Sequence, residues 1–105
     1  MVERLEKARL ESIHQGNMIY ESETGSGDID IFVAVVKSVN VDENYVTALD
    51  MSLGGKERKY FVFMTESELL DLKNGFSEGR FTREDVQRDR ERYAETVKAV
   101  LEGRL

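Results

Sequence analysis

The feature that most constrains the fold is a set of three apolar-rich runs within residues 28–64, separated by two short turn sequences. One turn contains Gly54-Gly55, and a two-residue hairpin needs positive φ at both central residues, which glycine adopts without steric cost. The other turn contains Asn44, which tolerates the left-handed conformation that closes a three-residue hairpin loop. The turns therefore predict three antiparallel strands that follow one another in the sheet.

The same turns predict a strand register. Val41 pairs with Tyr45 across the first turn, and Leu53 pairs with Lys56 across the second. One face of the sheet then carries the larger apolar set, which consists of Ile29, Ile31, Val33, Val35, Val39, Val41, Tyr45, Leu49, Met51, Leu53, Tyr60, Val62 and Met64. The other face carries Phe32, Ala34, Val36, Val46, Ala48, Phe61 and Phe63. A face left in water would be polar, so we expect both faces to be covered.

Helical patterns flank these strands on both sides. Apolar residues at 3.6-residue spacing predict an N-terminal helix over residues 2–14, which Gly16 ends. Thr65 and Glu68 form a capping box at the start of a second helix, because each side chain can bond the backbone N–H of the other residue. A final helix is predicted over residues 82–102, with a threonine cap and acidic residues in its first turn.

The predicted fold class is α+β. An antiparallel meander of three to four strands is flanked by the N-terminal helix and two C-terminal helices, with strands at about 17–23, 28–41, 45–53 and 56–64. The 105 residues are enough for one hydrophobic core, so we expect a single α+β domain over residues 1–105.

The composition argues against several classes of protein. The formal net charge of −6 disfavours a general nucleic-acid-binding protein, because such proteins need a basic face to displace phosphate counterions. Cysteine is absent, which excludes a disulfide framework and a thiolate metal site. No run of about 18 apolar residues is present, and the charged N-terminus lacks a signal-peptide core. We therefore expect a cytoplasmic protein with no membrane partner.

The sequence contains no recognisable catalytic constellation. It lacks a nucleophile–base pair, zinc-ligand spacing, a Walker loop and a dinucleotide fingerprint. His14 is the single histidine, and its position at a helix end is typical of an interaction with the helix dipole. Asp28 and Asp30 can face one side of a strand, but further oxygen ligands for a divalent cation are lacking nearby. We expect no enzymatic activity, no metal site and no cofactor.

Two apolar sheet faces on a chain with few helices favour a protein-interaction or regulatory module. We expect a second copy of the chain to close the smaller face, giving a homodimer in which an arginine of the final helix meets a carboxylate of the partner. The predicted interface residues are Phe32, Val36, Val46, Phe61, Phe63 and Arg90. A narrower hypothesis, based on charge and size, is an inhibitor of a nucleic-acid-binding protein from a phage or another mobile element.

A second class of function stays open, namely the binding of a small ligand such as a nucleotide or another anion. The anion would lie near the loop Gly25-Ser26-Gly27 and the arginines Arg80 and Arg83. The loop lacks the lysine and the following helix of a phosphate-binding P-loop. A thermal-shift screen with nucleotides separates this alternative from protein binding.

Overall fold

A computed structural model describes residues 8–24, 29–71 and 83–105. The N-terminal helix, α1, includes residues 8–11. It is followed by β1 (Met18–Thr24), β2 (Ile29–Asn40), β3 (Tyr45–Asp50), a 3₁₀ helix (Met51–Leu53), β4 (Lys56–Tyr60) and β5 (Met64–Thr65). Three further helices are α2 (Glu66–Asp71), α3 (Arg83–Arg92) and α4 (Ala94–Leu101).

Five strands of the described chain form one antiparallel sheet in the order β4-β3-β2-β1-β5. This sheet, with helices before and after it, confirms the predicted α+β class. The first four strands correspond to the predicted ones, and β5 is an addition. It pairs Met64 with Tyr20 and Thr65 with Ile19, so the chain crosses from one edge of the sheet to the other after β4.

The predicted capping box at the start of α2 is confirmed. The backbone N–H of Thr65 donates to Glu68 Oε1 at 2.8 Å, and the backbone N–H of Glu68 donates to Thr65 Oγ1 at 3.3 Å. The predicted final helix, in contrast, is divided into α3 and α4. The two helices meet at Tyr93, whose backbone angles of φ −106° and ψ 16° lie outside the α-helical range.

The predicted register of the first hairpin is wrong. Asn40, rather than Val41, pairs with Tyr45, so the turn has four residues. A β-bulge at Lys37 adds an extra residue to β2 and changes the alternation of side chains beyond it. Val39 therefore lies on the opposite face from the one that an uninterrupted strand predicts.

The predicted register of the second hairpin is also wrong. Five residues separate the paired Asp50 and Lys56, because the Asp50 side chain accepts a hydrogen bond from the backbone N–H of Ser52 and starts the 3₁₀ helix. The two glycines of the connection have positive φ, but they follow the 3₁₀ helix and do not form a two-residue turn. Leu49 and Tyr60 consequently lie on opposite faces of the sheet, contrary to the prediction.

Helices cover both faces of the sheet. On the face that we call the α1 face, Leu10 and Ile13 pack against Ile19, Ala34, Val36, Val46, Ala48, Tyr60 and Phe63. On the other, the α3–α4 face, Val86 and Val100 pack with Met18, Tyr20, Val33, Val35 and Leu49. The expectation that a second copy is needed to close one face is not met, because the segment that contains α1 closes it.

Candidate protein-interaction surface

The edge strand β4 is the centre of the candidate site. It ends the strand order, so within the described residues only β3 pairs with it. Its own residues are mostly charged, whereas the chain before and after it exposes large apolar side chains. Leu53 is 57 % exposed, Phe61 is 63 % exposed and Val62 is 82 % exposed. We call β4 together with these three residues the β4 edge surface.

An aromatic contact orients one end of the β4 edge surface. The ring centroids of Phe61 and Tyr45 are 5.4 Å apart, with an interplanar angle of 49°. The Nζ atom of Lys59 lies 4.9 Å from the centroid of the Tyr45 ring. Since Tyr45 is the first residue of β3, these contacts hold Phe61 against the sheet and leave its other side open. A side chain that is already oriented loses less conformational entropy on binding.

A buried carboxylate attaches β4 to the rest of the sheet. Asp50, which is 3 % exposed, accepts hydrogen bonds from Arg58 Nη1 at 2.6 Å and from the backbone N–H of Ser52 at 3.0 Å. Burial alone would raise the pKa of Asp50, but the hydrogen bonds from Ser52 and Arg58 outweigh burial and lower the pKa. Arg58 also lies 3.4 Å from Glu21 Oε1. The guanidinium group therefore points across the sheet, away from the free edge.

Two opposite charges of β4 lie on the α3–α4 face. Glu57 pairs with Leu49 and Lys59 pairs with Thr47, so the side chains of Glu57 and Lys59 point to the same side of the sheet. Glu57 Oε1 accepts a hydrogen bond from Lys37 Nζ at 2.7 Å, in an ion pair that is largely exposed. The free edge therefore presents a negative and a positive group two residues apart.

A groove between α1, the start of α2, and α4 is a second candidate site, with a volume of about 950 Å³. Its arginines are paired: Arg9 Nη2 donates to Glu68 Oε1 at 2.8 Å, and Arg90 donates to Glu66. Burial alone would raise the pKa of Glu68, but hydrogen bonds from Arg9 and the backbone N–H of Thr65 lower it. These ion pairs offset the positive charge that an anionic ligand would need.

The structure divides the predicted interface residues on the sheet into buried and exposed ones. Val36, Val46 and Phe63 are buried in the core under α1, and Phe32 is half-buried. Phe61 is exposed. A partner could therefore contact Phe61 directly, whereas it would have to displace α1 to reach Val36 or Val46.

The other predicted site residues are not brought together by the described structure. Arg90, predicted to meet a carboxylate of a partner, pairs with Glu66 of the same chain. Arg83 is the exposed first residue of α3. The described ranges do not include Gly25, Ser26, Gly27, Asp28 and Arg80. Within those ranges, no group of three or more histidine, aspartate or glutamate side chains converges to hold a metal ion.

Two residues of the β4 edge surface, Leu53 and Val62, are missed by sequence reasoning because the predicted register assigns them to the core. The signal that corrects this assignment is Asp50 followed two residues later by Ser52. An aspartate side chain that bonds the backbone N–H two residues on forms a turn of its own. The turn begins at Asp50, before the glycines, and shifts the whole of β4.

A comparison of the chain with protein-family models, curated proteins and solved structures finds no match. None of the helices in the described part of the chain is long and apolar enough to cross a membrane.

Proposed function

We propose that the chain is a small cytoplasmic protein-interaction module that binds another protein chain through the β4 edge surface. The observation that carries the proposal is the exposure of Phe61 and Val62 beside a strand edge with which no further described strand pairs. Exposed apolar patches of this kind mark interaction sites, and aromatic residues in oriented positions contribute a large share of binding energy. The charged residues of β4 supply the polar surroundings that are typical of such sites.

The outer edge of β4 provides a second source of affinity. Among the described strands, only β3 pairs with β4, so the backbone groups on the outer side of β4 can pair with an added strand. Hydrogen bonds from the main chain give affinity, and side chains at the ends of the strand give specificity. The proposed binding element of the partner is therefore an extended segment.

The narrower hypothesis of an inhibitor of a nucleic-acid-binding protein, from a phage or another mobile element, is supported by the net charge of −6. The charges of β4 do not share that sign, since Lys56, Arg58 and Lys59 outnumber Glu57. A basic partner would have to use an acidic surface elsewhere on the chain. Partner binding that weakens steeply with added salt would support this hypothesis, and binding insensitive to salt would contradict it.

Copurification from the native host tests the proposed function. The baits are the wild type, Phe61→Ala and Val62→Glu, with Glu91→Lys on the exposed side of α3 as a control. We expect the wild type and the control to retain a protein that Val62→Glu loses. With that protein purified, Phe61→Ala should weaken binding by about 30-fold, the effect of removing an aromatic hot spot. A partner retained equally by every bait would contradict the proposal.

The binding of a nucleotide or another anion is the alternative function. The groove of about 950 Å³ favours it, whereas the pairing of Arg9 with Glu68 and of Arg90 with Glu66 disfavours it. A ligand that binds only the folded state raises the melting temperature in proportion to the logarithm of its concentration. A melting temperature that rises with one nucleotide supports ligand binding, and an unchanged melting temperature with all of them favours protein binding.

A further inference from the structure

We propose that the partner at the β4 edge surface is a second copy of this chain, with the two β4 strands paired antiparallel about a twofold axis at Arg58. The inference rests on the proposed function, because it uses the same surface and names the partner. Pairing two identical edges is isologous, so each contact occurs twice. The sheets of the two copies then form one continuous sheet.

The sequence of β4 is complementary to itself in this register. When Arg58 lies opposite Arg58 of the second copy, Glu57 lies opposite Lys59, and Lys59 lies opposite Glu57. Both pairs are on the α3–α4 face, where opposite charges directly across two strands stabilise the pairing. Moving the axis by one residue would place Glu57 opposite Glu57 or Lys59 opposite Lys59. Charge therefore selects the register centred on Arg58.

The contacts of Arg58 reduce the repulsion between its two copies at the axis. Its Nη1 atom lies 2.6 Å from Asp50 Oδ2 and 3.4 Å from Glu21 Oε1, both on inner strands of the sheet. Each guanidinium group is thus neutralised by carboxylates of its own chain and points away from the axis. Lys56 lies opposite Tyr60 of the second copy, so like charges do not meet at that position either.

The exposed apolar residues agree with the same axis. Leu53 precedes β4, whereas Phe61 and Val62 follow it. Antiparallel pairing brings the start of one strand to the end of the other, so Leu53 of each copy lies beside Phe61 and Val62 of the other copy. Two equivalent apolar clusters therefore form, one at each end of the paired strands, and remove these side chains from water.

Light scattering of the full chain over a micromolar concentration series tests the pairing. The wild type should rise from 12.1 kDa to twice that mass with concentration. Glu57→Lys and Lys59→Glu each replace two attractive cross-strand pairs with two repulsive ones. Each variant should weaken dimerisation by about 30-fold and stay at 12.1 kDa where the wild type is dimeric. Lys37→Ala, which removes only the ion pair of Glu57 within one chain, should remain dimeric.

A mixture of the two charge variants distinguishes pairing from a folding defect. An equimolar mixture of Glu57→Lys and Lys59→Glu has opposite charges across both positions, so it should form a heterodimer although each variant alone is monomeric. The double variant within one chain should dimerise for the same reason. A mixture that stays at 12.1 kDa, or single variants that dimerise like the wild type, would overturn the proposed register.

Self-pairing and the binding of a different protein give different results in these experiments. A wild type of 12.1 kDa at every concentration would overturn self-pairing, as expected if the charges of β4 serve to prevent edge-to-edge association. Copurification of a different protein that depends on Phe61 and Val62 would still support the proposed function. Equal masses and equal copurification for Phe61→Ala, Val62→Glu and the wild type would contradict both.

Discussion

The Asp50 carboxylate connects three parts of the fold. It ends β3, accepts the hydrogen bond from Ser52 that starts the 3₁₀ helix, and bonds Arg58 of β4. A buried charge is tolerated only when it is paired and hydrogen-bonded, and these contacts meet that requirement. The buried polar group at this position therefore determines where the second hairpin turns and which residues occupy the free edge.

Replacing Asp50 with alanine should lower the free energy of unfolding by about 2–3 kcal/mol, because Arg58 and the backbone N–H of Ser52 lose their acceptor. This loss is smaller than the roughly 3–5 kcal/mol typical of breaking a fully buried ion pair, because the Arg58 side chain is more than a third exposed. Urea denaturation measures the change. Glu102→Ala, which breaks an exposed ion pair, is the control and should change stability by less than about 0.5 kcal/mol. If Asp50→Ala lowered the free energy of unfolding no more than the control does, water would be accepting the hydrogen bonds of Arg58 and Ser52 in place of the carboxylate.

Acid should destabilise the protein partly through Asp50 and Glu68, whose pKa values are lowered in the folded state. Unfolded carboxyl groups have pKa values of about 4, so the unfolded state binds protons first as the pH falls. The stabilisation is present above about pH 4 and is lost as the pH falls through the folded pKa values. Urea denaturation of wild type and Asp50→Asn at several pH values checks this. If the free energy of unfolding fell equally steeply with pH below about pH 4 in the two proteins, a contribution from Asp50 would be excluded.

At the scale of elements, the number of long strands and their order along the chain were predictable because hydrophobic runs and turn residues are local signals. The register was not predictable from those signals, because the side chain of Asp50 starts a turn and the bulge at Lys37 interrupts β2. The two-residue strand β5 is defined by its partner β1 and has no local pattern. Of the predicted interface residues, Phe61 is exposed, whereas Val36 is buried under α1, because the reach of α1 cannot be read from sequence.

The start of α2 offers a test of one local signal that the structure confirms. Glu68 both completes the capping box with Thr65 and binds Arg9 of α1. Glu68→Ala should therefore cost about 1–2 kcal/mol, whereas Glu68→Gln retains the capping geometry, loses only the charge and should cost less than half as much. Thermal unfolding of both variants measures the difference, with the exposed Ser67→Ala as a near-neutral control. Equal losses in the two variants would assign the stabilisation to the ion pair alone.

On the scale of the whole molecule, one sheet separates two apolar layers. The segment containing α1 packs on one face, while α3 and α4 pack on the other. The strand β2 contributes side chains to both layers, with Val36 on the α1 face and Val35 on the α3–α4 face. Every inner strand contributes side chains to both layers. Loss of either layer therefore exposes one face of strands that also form the other layer. A single domain over residues 1–105 stays a prediction, and the shared strands predict that the two described layers unfold together.

Unfolding of variants on the two faces tests that prediction. Ile13→Val on the α1 face should cost about 1 kcal/mol, and Val100→Ala on the α3–α4 face about 2 kcal/mol. Ile13 and Val100 belong to different core clusters, so the losses should add within about 0.5 kcal/mol in the double variant. Circular dichroism and tyrosine fluorescence should follow one cooperative transition in all three variants, since both layers depend on the same strands. If Val100→Ala instead produced an early transition confined to helical signal, α3 and α4 would unfold before the sheet and would form a separate unit.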